Sequence, residues 1–372
     1  RTHEPRDHLL QRPLRVGLVS PDLRRHPVAA LCMGMLEHLD RSALEVHAYY
    51  NFPTEDVITQ RIRSACTGWR AIHALDDEAA TDLIRSDRID VLVDLAGHTT
   101  NNRLGLFARK PAPLQVSWLG YFCSTGLDTF DAFLSDPWSS PPGQERWFAE
   151  PLLRLPHTRF CYLPWEGMPG VNELPALRNE DIRLGCFNNL GKLNDGVLAL
   201  WAQVLAAIPQ ATLVLQAQAL DDPDNAELFR ARAGRAGIPA GRLELRPFAP
   251  YTATGQSYHD IDIALDPFPF CGGMTSFDAL WMGVPVVTLE QPLIAGRQTL
   301  SMLHNIGLES LVARDAGDYV RIAARLAADR EALAGLRRTL RGRFSASPLA
   351  DHARFARDWT GALRQLWQAQ AC

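Results

Sequence analysis

Short apolar runs alternate with amphipathic stretches along most of the chain. Arg15-Val16-Gly17-Leu18-Val19-Ser20 reads as a buried strand that stops at a polar loop, residues 20–26. Pro27 suits a helix first turn, and the apolar stretch 28–39 follows as a helix. A second strand is predicted at 45–50, a helix at 55–66 and a strand at 89–95, which ends in Ala96-Gly97-His98-Thr99-Thr100-Asn101-Asn102. Residues 114–118 and 131–135 read as further strands. Eight prolines between Pro137 and Pro175 then interrupt the rhythm, marking a domain edge and a linker at about 136–180.

The alternation restarts with strands at 182–187, 211–216, 242–246, 261–265 and 284–289 and helices at 194–207, 226–236 and 276–282. The tail, 316–370, is predicted helical with a break at Ser347-Pro348. Strands alternating with helices predict the α/β class: two doubly wound halves, each a parallel sheet covered on both faces. Ligands in such folds bind beyond the carboxyl ends of the strands. That rule gathers the loops 20–26, 95–102, 188–192 and 267–275 around one cleft.

Length agrees with two domains, since 372 residues exceed the roughly 150 typical of one. With 38 Lys and Arg against 42 Asp and Glu, the net charge of −4 and the lack of a basic block argue against a nucleic-acid binder. No apolar run approaches the roughly 20 residues of a membrane span. The chain opens on Arg1 with no signal peptide, so a fragment or processed chain is expected. Seven scattered cysteines without a C-x-x-C pair, and eleven equally scattered histidines, predict neither disulfides nor structural metal. They fit a reducing cytoplasm.

Nucleotide fingerprints narrow the chemistry. No G-x-G-x-x-G follows a strand, so a dinucleotide site has no support. The run from Gly185 to Leu193 has five residues between its glycines where a P-loop needs four, and Leu193 stands in place of the Mg²⁺-binding hydroxyl. Asp260-Ile261-Asp262 has the D-x-D spacing that holds a diphosphate through a divalent ion, but it precedes its strand, so solvated carboxylates at a strand start are expected. Gly272-Gly273-Met274-Thr275 remains. Glycines at a helix start let backbone N–H groups approach a phosphate, and the helix dipole favours one there. Asp278, one turn in, is placed to accept bonds from ribose hydroxyls. On local pattern alone, an ordinary strand-to-helix turn with Asp278 on a solvated face reads equally well. Lys192, on a loop facing a diphosphate, becomes a metal-free counter-charge for a leaving group, although a lone lysine is more often surface.

Several longer runs resemble the catalytic region of the protein O-GlcNAc transferases, glycosyltransferase family 41. They are Ser20-Pro-Asp-Leu-Arg-Arg-His26-Pro27, Asp94-Leu-Ala-Gly-His98-Thr99, Pro111-Ala-Pro-Leu-Gln-Val-Ser-Trp118-Leu-Gly120-Tyr121 and Asp278-Ala-Leu-Trp281-Met-Gly283-Val-Pro285-Val-Val-Thr288. Shorter matches at Ser124-Thr-Gly126, Leu155-Pro-His157-Thr158 and Phe187-Asn188-Asn189 with Lys192 fall in the family's order, from about 14 to 370. The resemblance implies a GT-B fold, two Rossmann-like halves facing across a cleft. It implies an acceptor-side half at 1–170, a nucleotide-sugar half at 171–345, and a C-terminal helix at 346–372 packing back on the first. It further implies inverting, metal-independent transfer of GlcNAc from UDP-GlcNAc to Ser or Thr of a protein acceptor. Tetratricopeptide repeats usually lie upstream in such proteins.

Carried over residue by residue, Lys192 matches the lysine at the UDP diphosphate and Asn189 a polar uracil or phosphate contact. Thr275 and Asp278 match the phosphate-loop threonine and the ribose-binding acid, and His26 an acceptor-side histidine proposed as base. His98, on another loop, is a second candidate base. Gly273-Met274-Thr275 replaces the family's His-Thr-Thr run, which leaves UDP-glucose or GDP-fucose, as in the plant SPINDLY branch, open as donors. A UDP-sugar epimerase and a non-catalytic nucleotide-sugar-binding module are the rival readings.

Overall fold

The computed structural model describes residues 12–369. The first eleven residues and residues 370–372, which the expected domain bounds, the tail helix and Cys372 include, lie outside that range. The chain divides into two units, one holding residues up to Leu163 together with Pro348 onward, the other Pro164–Ser347.

The first unit is built on seven parallel strands: β1 (Leu14–Ser20), β2 (Leu44–Tyr50), β3 (Gly68–Ala71), β4 (Val91–Asp94), β5 (Leu114–Ser117), β6 (Ala132–Ser135) and β7 (Leu152–Arg154). Their spatial order is β3-β2-β1-β4-β5-β6-β7, the doubly wound pattern with its reversal between β1 and β4. Central strands are buried along their length, as near-continuous apolar runs in a parallel sheet require. Val19 pairs with Asp94, so the loops leaving β1 and β4 emerge side by side at the carboxyl edge. Flanking helices are locally specified. Asp56 and Thr59 form a reciprocal capping box for Val57–Ala65, and Asp76 caps Asp77–Ser86.

The helix expected at 28–39 is two short helices, Pro27–Ala30 and Met33–Leu36. At the break the Leu31 N–H reaches both Pro27 and Val28 carbonyls, tightening the turn. Strand β3, the helix Asp77–Ser86 and β7 are additions to the expected set. β3 and β7 are half-exposed edge strands of three or four residues without an apolar run, and β7 lies inside the proline-rich stretch. The final helix, His352–Ala369, belongs to this unit. Phe355 and Trp359 pack on Trp118 with ring centroids 5.9 and 5.8 Å away. Gly34 lets the His352 ring approach, because a Cβ there would sit 2.7 Å from it.

The second unit holds six parallel strands: β8 (Ile182–Cys186), β9 (Ala211–Gln216), β10 (Leu243–Arg246), β11 (Ile263–Leu265), β12 (Val286–Leu289) and β13 (Val312–Ala313). Their order, β10-β9-β8-β11-β12-β13, repeats the first unit's winding, with the switch between β8 and β11. Asn194 caps Asp195–Ala207 and also donates to the Phe268 carbonyl oxygen at 2.7 Å, tying the loop after β8 to the loop after β11. The helical tail breaks at Asp329 as well as after Ser345, giving Ala316–Ala328 and Arg330–Ser345.

The Asp260-Ile-Asp262 expectation is corrected. Asp262 is fully buried and accepts the N–H groups of Ala176 and Arg183 at 2.9 and 2.8 Å, beside the buried Arg337. Asp260 pairs with Arg246 at 2.8 Å. The solvated pair is therefore one internal brace and one surface ion pair, because the strand start lies under the segment 172–176 and the helix Arg330–Ser345.

Candidate active site

In the second unit the loops leaving β8 and β11 meet at the switch point, and seven expected residues lie there or in the helix that follows. Lys192 ends a tight turn that Asn189 caps by accepting the Gly191 N–H at 2.8 Å. The turn aims the half-buried lysine at the glycine-rich loop. Its Nζ donates to the Cys271 carbonyl oxygen at 2.7 Å and to Asn188 Oδ1 at 3.2 Å, and lies 3.9 Å from the centre of the Phe270 ring. Burial pulls its pKa below the usual lysine value, against the raising fields of Cys271 and Asp266.

The loop itself is held open by Asp266, which follows β11 and is buried. Its carboxylate accepts the Gly272 N–H at 2.6 Å and the Thr288 hydroxyl at 2.8 Å. A Cβ on Gly272 would sit 2.2 Å from Ser276 Oγ, so the turn into the helix Met274–Trp281 needs glycine at that position. Gly273 is the N-cap and supplies no side chain, which leaves the first amides of the helix uncovered by a capping group. Thr275 donates to Asn188 Oδ1 at 3.1 Å, and its carbonyl accepts the Tyr258 hydroxyl at 2.8 Å. Asn188 thereby joins the lysine to the helix start. Met274, the first helical residue, is half-buried. Asp278 is 4% exposed, so the solvated-face alternative is set aside. Asn189 is exposed, with its side-chain oxygen committed to the local turn.

His26 and His98 belong to the first unit, on the loops leaving β1 and β4. His26 caps the helix Pro27–Ala30: Val28 N–H donates to its Nδ1 at 3.3 Å. The neutral ring then carries its proton on Nε2, 3.6 Å from Asp22 Oδ1. Burial, helped by Arg24, drives its pKa down to about 4 from the 6.5 of an unperturbed imidazole. Burial pushes the neighbouring Asp22 up to about 6. His98 is exposed, and its Nε2 faces the Ser124 carbonyl oxygen at 3.1 Å, edge-on to Tyr121. That carbonyl only accepts, so the proton sits on Nε2 and Nδ1 keeps its lone pair. Burial also lifts Asp94 to about 6, while it accepts the Ala96 and Gly97 N–H groups and orders the loop carrying His98.

Asn188, Asp266 and Tyr258 are site residues that sequence reasoning left out. Asp266 carried a usable signal, an acid directly after a buried strand at the sheet's carboxyl edge. Asn188 lies inside a run singled out for its neighbours. Tyr258 had no local mark. Among the described residues no three His, Cys, Asp or Glu side chains are grouped to hold a metal ion, and no helix is long and apolar enough to cross a membrane.

The sequence profile of glycosyl transferase family 41 matches residues 2–168 and 171–359. The chain is 37% identical over 363 residues to the probable UDP-N-acetylglucosamine–peptide N-acetylglucosaminyltransferase SPINDLY of Solanum lycopersicum, covering 96% of this chain and 39% of that one. It is 24% identical over 477 residues to the UDP-N-acetylglucosamine–peptide N-acetylglucosaminyltransferase of Caenorhabditis elegans, covering 95% and 41%. The chain thus spans about two fifths of the length of these relatives. A mutant of Thermobaculum terrenum O-GlcNAc transferase superposes with a TM-score of 0.92 at 39% identity, covering 96% of this chain and 68% of that one. The sucrose-phosphate synthase of Thermosynechococcus elongatus, at 14% identity and a TM-score of 0.60, shares the fold.

Proposed function

The chain belongs to glycosyltransferase family 41 and has the GT-B fold, and from that premise we propose that it moves GlcNAc from UDP-GlcNAc to Ser or Thr hydroxyls of a protein, with inversion and without a metal ion. The acceptor oxygen attacks the anomeric carbon as the bond from that carbon to the β-phosphate oxygen breaks. UDP takes the bonding electrons and the acceptor proton passes to a base.

The observation that carries this reading is the placement of Lys192 Nζ, 2.7 Å from the Cys271 carbonyl oxygen at the start of the helix Met274–Trp281. A cation and the amide dipoles of one helix converge where a diphosphate's negative charge would grow, which is the arrangement that stabilises a leaving group. Asp278, buried one turn in, is assigned to the ribose. Of the two histidines, His98 suits the proton acceptor better, because its Nδ1 lone pair is uncommitted to Ser124 while His26 spends its own on a helix cap. A reducing, cytoplasmic setting suits the free thiols Cys32, Cys66, Cys123, Cys161, Cys186 and Cys271.

Incubating the chain with a protein extract and UDP-GlcNAc labelled in the sugar, beside UDP-glucose and GDP-fucose, tests the reading. Label on protein Ser or Thr from UDP-GlcNAc is the expected result. Isomerised nucleotide, binding without transfer, or transfer only from another donor overturns it.

A further inference from the structure

Gln298 opens the helix Gln298–Asn305, and none of the roles above uses it. This helix abuts the glycine-rich loop. Thr299 Oγ1 lies 2.8 Å from Ser276 Oγ and 3.4 Å from the Gly272 carbonyl oxygen, and the Cys271 N–H donates to Ala295 just upstream at 3.2 Å. Gln298 is 4% exposed, yet its Nε2 has no hydrogen-bond partner in the protein. A buried amide donor left unpaired is costly, and native structures rarely tolerate one without a use.

The carboxamide points to the N-cap of Met274–Trp281. A Cβ built on Gly273 would meet Gln298 Oε1 first, at 3.6 Å, with no closer neighbour. Gly273, by lacking a side chain, leaves the Gln298 carboxamide facing the helix start with Oε1 foremost, and a half-turn about its last side-chain bond brings the unpaired Nε2 to that same point, where uncovered N–H groups and Lys192 converge. Every donor around that point is positive or a polarised N–H. An anion therefore completes all of them at once, and it satisfies the orphaned Nε2.

We propose that Gln298 is a substrate-contacting residue whose Nε2 donates to the diphosphate of the nucleotide sugar. This rests on the nucleotide-sugar reading above and adds to it a donor from a third segment, beyond the loops after β8 and β11.

The test measures binding of UDP and of uridine by calorimetry to the wild-type chain, Gln298→Leu and Gln298→Glu, with thermal melts to verify folding. Leucine fills similar volume without a donor, and glutamate brings an acceptor and a like charge. UDP affinity should fall about tenfold in Gln298→Leu and further in Gln298→Glu, with uridine affinity unchanged in both. Wild-type UDP affinity in both variants overturns the proposal, as does an equal loss for UDP and uridine, which marks general distortion of the site. A wild-type chain that binds no UDP overturns the nucleotide-sugar reading itself and is distinguished by the wild-type titration alone. If neither variant folds, Gln298→Asn, which retracts the same amide by one methylene, takes their place with the same expected loss and the same overturning results.

Discussion

Lys192 and Cys271 are 79 positions apart, and the ammonium of one donates to the backbone carbonyl of the other at 2.7 Å. This bond fixes a cation against the very turn that opens a helix. The lysine's second bond, to Asn188 Oδ1 at 3.2 Å, is shared with Thr275 at 3.1 Å. One amide oxygen therefore holds both the cation and the helix start in register.

Asn188→Ala should lower kcat about 10- to 100-fold, equivalent to losing one or two hydrogen bonds that orient charged and polar groups. KM for the donor should change less, since the positive charge stays in the loop. Steady-state kinetics with a peptide acceptor check this. Unchanged kcat would show that the lysine is positioned without Asn188.

Two adjacent glycines should respond in opposite ways. Gly272→Ala drives a Cβ to 2.2 Å from Ser276 Oγ and 2.9 Å from Asp266 Oδ1, so the loop must shift and UDP affinity should fall tenfold or more. Gly273→Ala meets nothing closer than 3.6 Å and should keep both stability and UDP binding within a few-fold. Calorimetric titration of the two variants separates them. Equal tolerance of both would mean that the loop is not held as described.

The pair Asp22 and His26 makes two opposing contributions to stability between pH 4 and 6. The His26 pKa falls from 6.5 to about 4 on folding, so the unfolded chain binds more protons there and stability rises with pH through that window. It is fully present above 6.5 and lost as pH falls towards 4. Asp22 rises from 3.8 to about 6, so the folded chain binds more protons and stability falls over nearly the same range. Asp22→Asn removes the second effect. Its denaturation free energy should climb more steeply between pH 4 and 6 than the wild type's, as urea melts at several pH values would reveal. Parallel pH profiles for the two proteins would rule this out.

Asp262 is predicted to act in folding alone. Asp262→Ala strands the Ala176 and Arg183 N–H groups and leaves Arg337 without its neighbouring carboxylate, at a cost of about 2–4 kcal/mol. EDTA should leave wild-type turnover unchanged. If EDTA abolishes turnover while Asp262→Ala folds normally but is inactive, the D-x-D pair is a metal site after all.

Much of this architecture was legible because parallel strands buried on both faces leave continuous apolar runs, as at Val16–Val19 and Val91–Val93. Edge elements escaped for the converse reason: Gly68-Trp69-Arg70-Ala71 and Leu152–Arg154 are half-exposed, so no run distinguishes them from loop. Lys192 and Thr275 could be placed at strand ends from the alternation alone. Their meeting through Asn188 depends on strands β8 and β11 pairing, with Ala264 opposite Gly185, a contact between distant segments that no local pattern carries. His26 illustrates the same limit in its electrostatics. The Pro27 helix start was visible, but the capping of Val28 by the ring and the burial that lowers its pKa arise from tertiary packing.

The central claim is that Lys192 stabilises the departing diphosphate where a divalent cation could otherwise serve. The most direct measurement is kcat of Lys192→Ala at saturating UDP-GlcNAc, alongside its UDP affinity. The account predicts a fall of about 10²–10³-fold or more in kcat, as for loss of a group aimed at developing charge, with UDP bound within about tenfold of wild type. A kcat within threefold of wild type contradicts it.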